Sequence, residues 1–91
     1  MKGVHVTITG IVQGVGFRAW TEDEALKRGL RGWVRNRSDG NVEAVFCGEP
    51  QDVKAMVTAC DAGPRAALVV EVLSEDYAGP EPTRFMVLPT A

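Results

Sequence analysis

Val4, Val6 and Ile8 alternate with His5, Thr7 and Thr9 near the start of the chain. A period of two with one apolar side predicts a strand with one buried face. Gly10 interrupts the pattern, and Gly14 and Gly16 follow closely. From about Arg18 to Arg28 the residues favour helix, with Glu22, Asp23 and Glu24 early and Lys27 and Arg28 late, the order a helix dipole prefers. Gly29 is placed to cap it. Gly32-Trp33-Val34-Arg35-Asn36-Arg37 predicts a second strand, and Ser38-Asp39-Gly40-Asn41 a hairpin turn in which Asp-Gly supplies positive φ values. Val42 to Cys47 form the returning strand. Pro50 suits the first turn of a second helix, on which Val53, Met56, Val57 and Cys60 share one face until Gly63-Pro64 stops it. Leu68 to Leu73 and Arg84 to Leu88 predict the last two strands.

The order of elements is β-α-β-β-α-β with an extra C-terminal strand. This is the split β-α-β plan, a ferredoxin-like α+β sandwich in which two helices cover one face of a largely antiparallel sheet. A chain of 91 residues is one domain, residues 1–91. Its 45% hydrophobic and 24% charged residues are ordinary globular values and exclude disordered and collagen-like classes. No apolar run approaches the ~20 residues that a membrane helix needs, so no membrane association is expected. The alternating N-terminus does not read as a signal peptide. Cys47 and Cys60 lie among apolar neighbours, so buried thiols in a reducing cytoplasm are expected rather than a disulfide.

Fold does not select a function here, because this plan carries binders, regulators and enzymes alike. Charge narrows the choice. The net charge of -2 argues against general nucleic-acid affinity. Residues 1–40 hold seven Lys/Arg against four Asp/Glu, a balance of +3, while residues 41–91 hold three against eight, a balance of -5. An anion would therefore be met in the first 40 residues.

The informative stretch there is Gly10-Ile11-Val12-Gln13-Gly14-Val15-Gly16-Phe17-Arg18, joining strand to helix. Glycines let the chain curl so that several backbone N–H groups point into one concavity, and the helix start adds its own free N–H groups and partial positive charge. Arg18 can reach the same space with a planar pair of donors matched to phosphate oxygens. The alternative is a tight strand–helix turn with a surface arginine. No Gly-Lys-Ser/Thr follows, and the third glycine of a dinucleotide fingerprint is absent. Asn36, just before the hairpin, could hold a water through its amide, or be a plain surface amide.

Other candidates fail on count or placement. His5 is the single histidine and lacks a partner for a metal. A cysteine-phosphatase loop needs five residues between cysteine and arginine, whereas Cys60 and Arg65 are separated by four. Glu22-Asp23-Glu24 points its side chains different ways around a helix, as a solvated face does. Trp20 and Trp33 suit core or rim. What is left is a phosphate cradle with no evident nucleophile, base or metal. Phosphoryl transfer can run on positioning and charge stabilisation when the leaving group needs no proton. A carboxylate is such a group, since its acid has a pKa of about 4. A phosphate–carboxylate anhydride would suit this site; an alkyl phosphate ester would not.

These residues also resemble the acylphosphatase family over essentially the whole chain. Val12-Gln13-Gly14-Val15-Gly16-Phe17-Arg18 is similar to its first motif, and Gly32-Trp33-Val34-Arg35-Asn36 with Asp39-Gly40 and Val42-Glu43 to its second. Gly63-Pro64 with Ala67 and Val69, then Phe85, resemble its downstream marks. The resemblance implies hydrolysis of acyl phosphates to carboxylate and inorganic phosphate without metal or cofactor. It implies that backbone N–H groups of Gln13, Gly14, Val15, Gly16 and Phe17 bind the phosphoryl group with Arg18, and that Asn36 orients the attacking water. The water's proton would pass to a substrate phosphate oxygen. Inorganic phosphate or sulfate would compete, and the expected solution state is a monomer. Ile11 and Leu68 stand where the family often has arginine, away from Arg18 and Asn36. The residues alone leave two rivals: an anion-binding module without catalysis, and an RNA-binding domain, which the acidity and the lack of paired stacking aromatics oppose.

Overall fold

The computed structural model describes residues 2–91. Alternation at the N-terminus becomes β1 (Lys2–Ile11), with Val4, Val6 and Ile8 all buried. There follow α1 (Phe17–Lys27), β2 (Arg31–Asn36), β3 (Val42–Gly48), α2 (Pro50–Cys60), β4 (Leu68–Asp76) and β5 (Phe85–Val87). The strands form one sheet in the order β4-β1-β3-β2-β5. All its pairings are antiparallel except β2 with β5, which is parallel. The central β3 lies between β1 and β2, and β4 flanks β1 at one edge, because each helix crosses over the same face of the sheet. The expected ferredoxin-like sandwich with an extra strand is the observed one.

The core fills the space between that face and the helices. Val6, Ile8, Val34, Ala44 and Phe46 of the sheet meet Phe17 and Ala25 of α1 and Val53, Met56 and Cys60 of α2. Phe46 and Phe85 stack at 5.9 Å. Both thiols are free and buried. Burial raises the Cys47 thiol and pushes Cys60 up to about 12, so both behave as small apolar side chains.

Four details differ from the sequence reading. Helix α1 begins at Phe17, so Glu22, Asp23 and Glu24 fall beyond its first turn, which carries no acidic residue. They cannot neutralise the helix start, whose field fades within a turn. Lys27 does occupy the last turn. In the 37–41 hairpin, only Gly40 has a positive φ, +95°, and Asp39 does not. Arg37 accepts from Gly40 N–H at 3.1 Å and donates to Asn41 at 2.8 Å, the pattern of a type I turn followed by a bulge residue rather than a two-residue loop. The Asp39 carboxylate accepts from Asn41 N–H at 3.0 Å instead. Third, Gly10 does not end β1. The register shifts there, with Thr9 opposite Glu71 and Gly10 opposite Val69. This bulge leaves Val70 unpaired and 75% exposed. Finally, β4 runs on to Asp76, and β5 spans only Phe85–Val87.

The uncovered face of the sheet is polar and tightly paired. Glu43 of β3 is buried there and accepts from Arg35 Nε at 2.7 Å, Arg37 at 3.2 Å and His5 Nε2 at 2.6 Å. The second nitrogen of His5 lies 3.4 Å from Glu75. Arg35 also lies over the Trp33 ring, 4.8 Å from its centroid. Burial alone would raise the Glu43 carboxyl, but the three donors outweigh it and bring it from 4.5 to about 2. A carboxyl depressed by folding contributes stability that is present above its unfolded pKa and is lost as pH falls toward its folded one. Stability should therefore drain between about pH 4.5 and 2, by on the order of 3 kcal/mol. Urea unfolding of Glu43→Gln should show a lower stability at pH 7 and a flatter acid limb; curves parallel to the wild type across this range would refute the assignment.

Candidate active site

Strands β1 and β2 are both antiparallel to β3, so they share a direction, and β5 runs with β2. Their last residues, Ile11, Asn36 and Val87, therefore reach the same edge of the sheet, where α1 begins. A cavity of about 380 Å³ opens there. Gly14 and Gly16 of the loop, Phe17, Arg18, Ala19 and Glu22 of α1, Asn36 of β2 and Val87 of β5 form its wall, with Val12 beneath.

The loop is clamped at both ends. Val12 and Phe17 are 1% and 2% exposed and belong to the core, while Val15 packs against it from the side. Between the clamps Gly14 and Gly16 adopt φ of +73° and +79°, the left-handed region that side chains rarely enter. A Cβ at either would meet nothing within 4 Å, so conformation and not crowding requires glycine, and the backbone is open to the cavity. Gly16 caps α1 without any side-chain hydrogen bond, and the first helix bond runs from Trp20 N–H to Gly16 at 3.0 Å. Among the described residues the N–H groups before it meet no acceptor outside the helix, which leaves the partial positive charge of the helix start open to the cavity.

Arg18 makes no hydrogen bond or ion pair among the described residues. The same is true of the Asn36 side-chain amide. Alternation along β2 places Asn36 on the side of Val34, toward α1, while Arg35 and Arg37 point to the other face and Glu43. The Asn36 backbone is held by pairing with Val42 and by Ala91 N–H at 3.0 Å. Loop and hairpin are tied directly: the Gln13 side-chain amide donates to the Arg37 and Asn41 carbonyls at 2.7 and 2.9 Å.

Arg18, Asn36, Gly14, Gly16 and Phe17 thus line one cavity. The side chains of Gln13 and Val15 turn away from it; one holds the hairpin and the other packs on the core. The sequence reading missed Glu22 and Val87. Glu22 could have been found from its spacing, since four residues after Arg18 is the same helix face. Val87 depends on the parallel docking of β5, for which the sequence holds no local signal. His5 is engaged with Glu43 and Glu75 on the opposite face of the sheet, and no group of three potential metal ligands gathers among the described residues. Trp20 packs on the core beside Phe17. Chemically, the cavity offers donors converging on an anion and a neutral amide that can both donate to and accept from a water beside it.

A family model for acylphosphatase matches residues 4–87. The chain is 48% identical over 93 positions to an acylphosphatase of Bradyrhizobium diazoefficiens, an alignment covering 96% of this chain and 94% of the other. Among solved structures it is similar to an acylphosphatase from Bacillus subtilis, at 35% identity and a TM-score of 0.92, covering 97% of this chain and 99% of that one. A Coxiella burnetii acylphosphatase gives 37% identity and a TM-score of 0.91, covering 96% and 92%.

The Gln13 tie yields a direct expectation. Gln13→Met keeps the length of the side chain and removes both donors, which should cost about 1–2 kcal/mol and lower Tm by about 5–10 °C. Amide exchange across residues 13–18 should quicken. An unchanged Tm with unchanged exchange would show that the tie does not hold the loop.

Proposed function

The chain belongs to the acylphosphatase family, and on that premise we propose that it hydrolyses the carboxyl–phosphate anhydride of acyl phosphates through Arg18, the loop N–H groups and Asn36. It is an enzyme of that family; the division of labour among these residues is our reading. The observation that carries it is the convergence of an unengaged guanidinium, an uncapped helix start and an unengaged amide on one cavity.

In this reading the phosphoryl oxygens take the place at the helix start, bound by N–H groups of residues 13–17 and, through two parallel bonds, by Arg18. Asn36 accepts from a water and aims its lone pair at phosphorus. The bond from water oxygen to phosphorus forms as the bond from phosphorus to the acyl oxygen breaks. The acyl oxygen leaves with the bonding pair as a carboxylate and needs no proton, because its acid has a pKa of about 4. The water's proton passes to a phosphate oxygen. Acyl phosphate dianion and water thus become carboxylate and dihydrogen phosphate, with charge and atoms balanced. Charge accumulates on the equatorial oxygens in the transition state, where the fixed donors are already pointing, so little reorganisation is required. Inorganic phosphate and sulfate compete for the same donors.

Hydrolysis of benzoyl phosphate, with EDTA present, tests this. Wild-type protein should turn over without loss in EDTA. Arg18→Ala should lose about a hundred- to thousandfold in kcat/KM and its inhibition by phosphate. Asn36→Ala should lower kcat while leaving phosphate inhibition near its wild-type level. Near-normal kinetics for Arg18→Ala would sink the assignment. Saturable phosphate binding without any turnover would instead indicate an anion-binding module.

A further inference from the structure

Glu22 is the one carboxylate on the cavity wall, and it is the member of its acidic run that no neighbour engages among the described residues. Asp23 lies 3.2 Å from Lys27, and Glu24 lies 2.8 Å from Arg28 and 3.3 Å from Lys27. Beside Arg18 and Glu22 the cavity wall includes two small apolar side chains, Ala19 and Val87, the latter 39% exposed. Helical geometry sets its depth: Glu22 is four residues beyond Arg18, about 6 Å along the axis and away from the loop. An acyl group joined to a phosphorus at the helix start spans a similar length, and laid along this wall its far end would come level with Glu22.

We propose that Glu22 selects the acyl group by charge, favouring acyl phosphates whose acyl portion is cationic or neutral and rejecting those that carry a second anion. This rests on the reading above, that the cavity holds an acyl phosphate. An aminoacyl-type phosphate, with an ammonium near Glu22 and Val87 against its carbon chain, is the favoured class. A monoacyl phosphate of a dicarboxylic acid, or an acyl phosphate with another phosphate, meets a like charge across the cavity. Repulsion of this kind discriminates between partners without any new attractive contact. Two unit charges about 4 Å apart in water-rich surroundings interact by an amount equivalent to about fivefold in an equilibrium or rate.

Three para-substituted substrates of one shape test it: benzoyl phosphate, 4-carboxybenzoyl phosphate and 4-(aminomethyl)benzoyl phosphate. Wild-type kcat/KM should fall in the order aminomethyl, unsubstituted, carboxy. In Glu22→Gln the aminomethyl-to-carboxy ratio should shrink by about 25-fold, fivefold from each charged substrate, and raising ionic strength should shrink it in the wild type. Asp23→Asn, an equal change in net charge off the cavity wall, should leave the ratio alone. The corresponding acylphosphonates, which cannot be hydrolysed, should show the same order of Kd by calorimetry. They keep charge selection testable even if no substrate turns over, the outcome that would defeat only the catalytic reading. A ratio unchanged in Glu22→Gln, or altered equally in Asp23→Asn, overturns the proposal. So does a uniform loss of roughly a hundredfold for all three substrates, which would make Glu22 a base. Failure of all three phosphonates to bind overturns both readings.

Discussion

The shared direction of β1, β2 and β5 is the constraint on which the site depends. Because β1 and β2 both oppose β3, the loop after β1 and the end of β2 must emerge at one edge of the sheet. The parallel pairing of β5 with β2 adds Val87 at that edge. No single segment supplies the cavity: the cation comes from a helix, the amide from a strand and the N–H groups from a loop. Open sheets tend to place their sites where strand ends and helix starts meet, and the physics is the same here. Free N–H groups are available in the loop and at the helix start, and the ends of β2 and β5 bring Asn36 and Val87 to them.

Within that frame the polar side chains divide by what burial demands of them. Glu43 is buried, and an unpartnered carboxylate there would be costly, so it gathers three donors. Arg35 and Arg37, on either side of Asn36 in sequence, are drawn to it on the far face. Strand alternation then turns Asn36 toward the cavity. Gln13 is used in the same structural way, spanning from loop to hairpin. The groups left without internal partners face water in the cavity and incur no comparable penalty, because solvent serves them until a ligand arrives.

Much of this was legible from residue order. The alternation in β1, the apolar face of α2 and the glycine loop before Arg18 each report a local requirement, and each fixed its element nearly to the residue. The strength of the two motifs lies in the same fact: left-handed glycines at 14 and 16 and clamps at 12 and 17 are needed in one short segment. What was not legible is relational. Asp39-Gly40 satisfies several turn types, and the observed one depends on the bonds between Arg37 and Asn41. Val70 reads as one of a run of apolar residues, yet the bulge opposite Gly10 turns it outward. Glu22 was grouped with Asp23 and Glu24 as a solvated run, whereas neighbours in sequence stand about 100° apart around a helix and meet different surroundings. Only its place one turn below Arg18 distinguishes it.

That last placement raises a question of competition, since Glu22 at i+4 could in principle close on Arg18 and block the anion. Magnitudes decide against it. An exposed i,i+4 ion pair is worth only about 0.3–0.5 kcal/mol, because water and side-chain entropy oppose it. Hydrogen bonds to a charged group such as a phosphate are worth about 1.5–3 kcal/mol each, and Arg18 can make two while the helix start adds more. A bound phosphoryl group therefore keeps the guanidinium whatever Glu22 does. The carboxylate is left to act at longer range, on the end of the ligand that the phosphate donors do not hold. A site whose strong contacts all converge on phosphate has little grip on the rest of its substrate. One fixed charge beside that remaining portion is then enough to rank acyl groups without disturbing the chemistry at phosphorus.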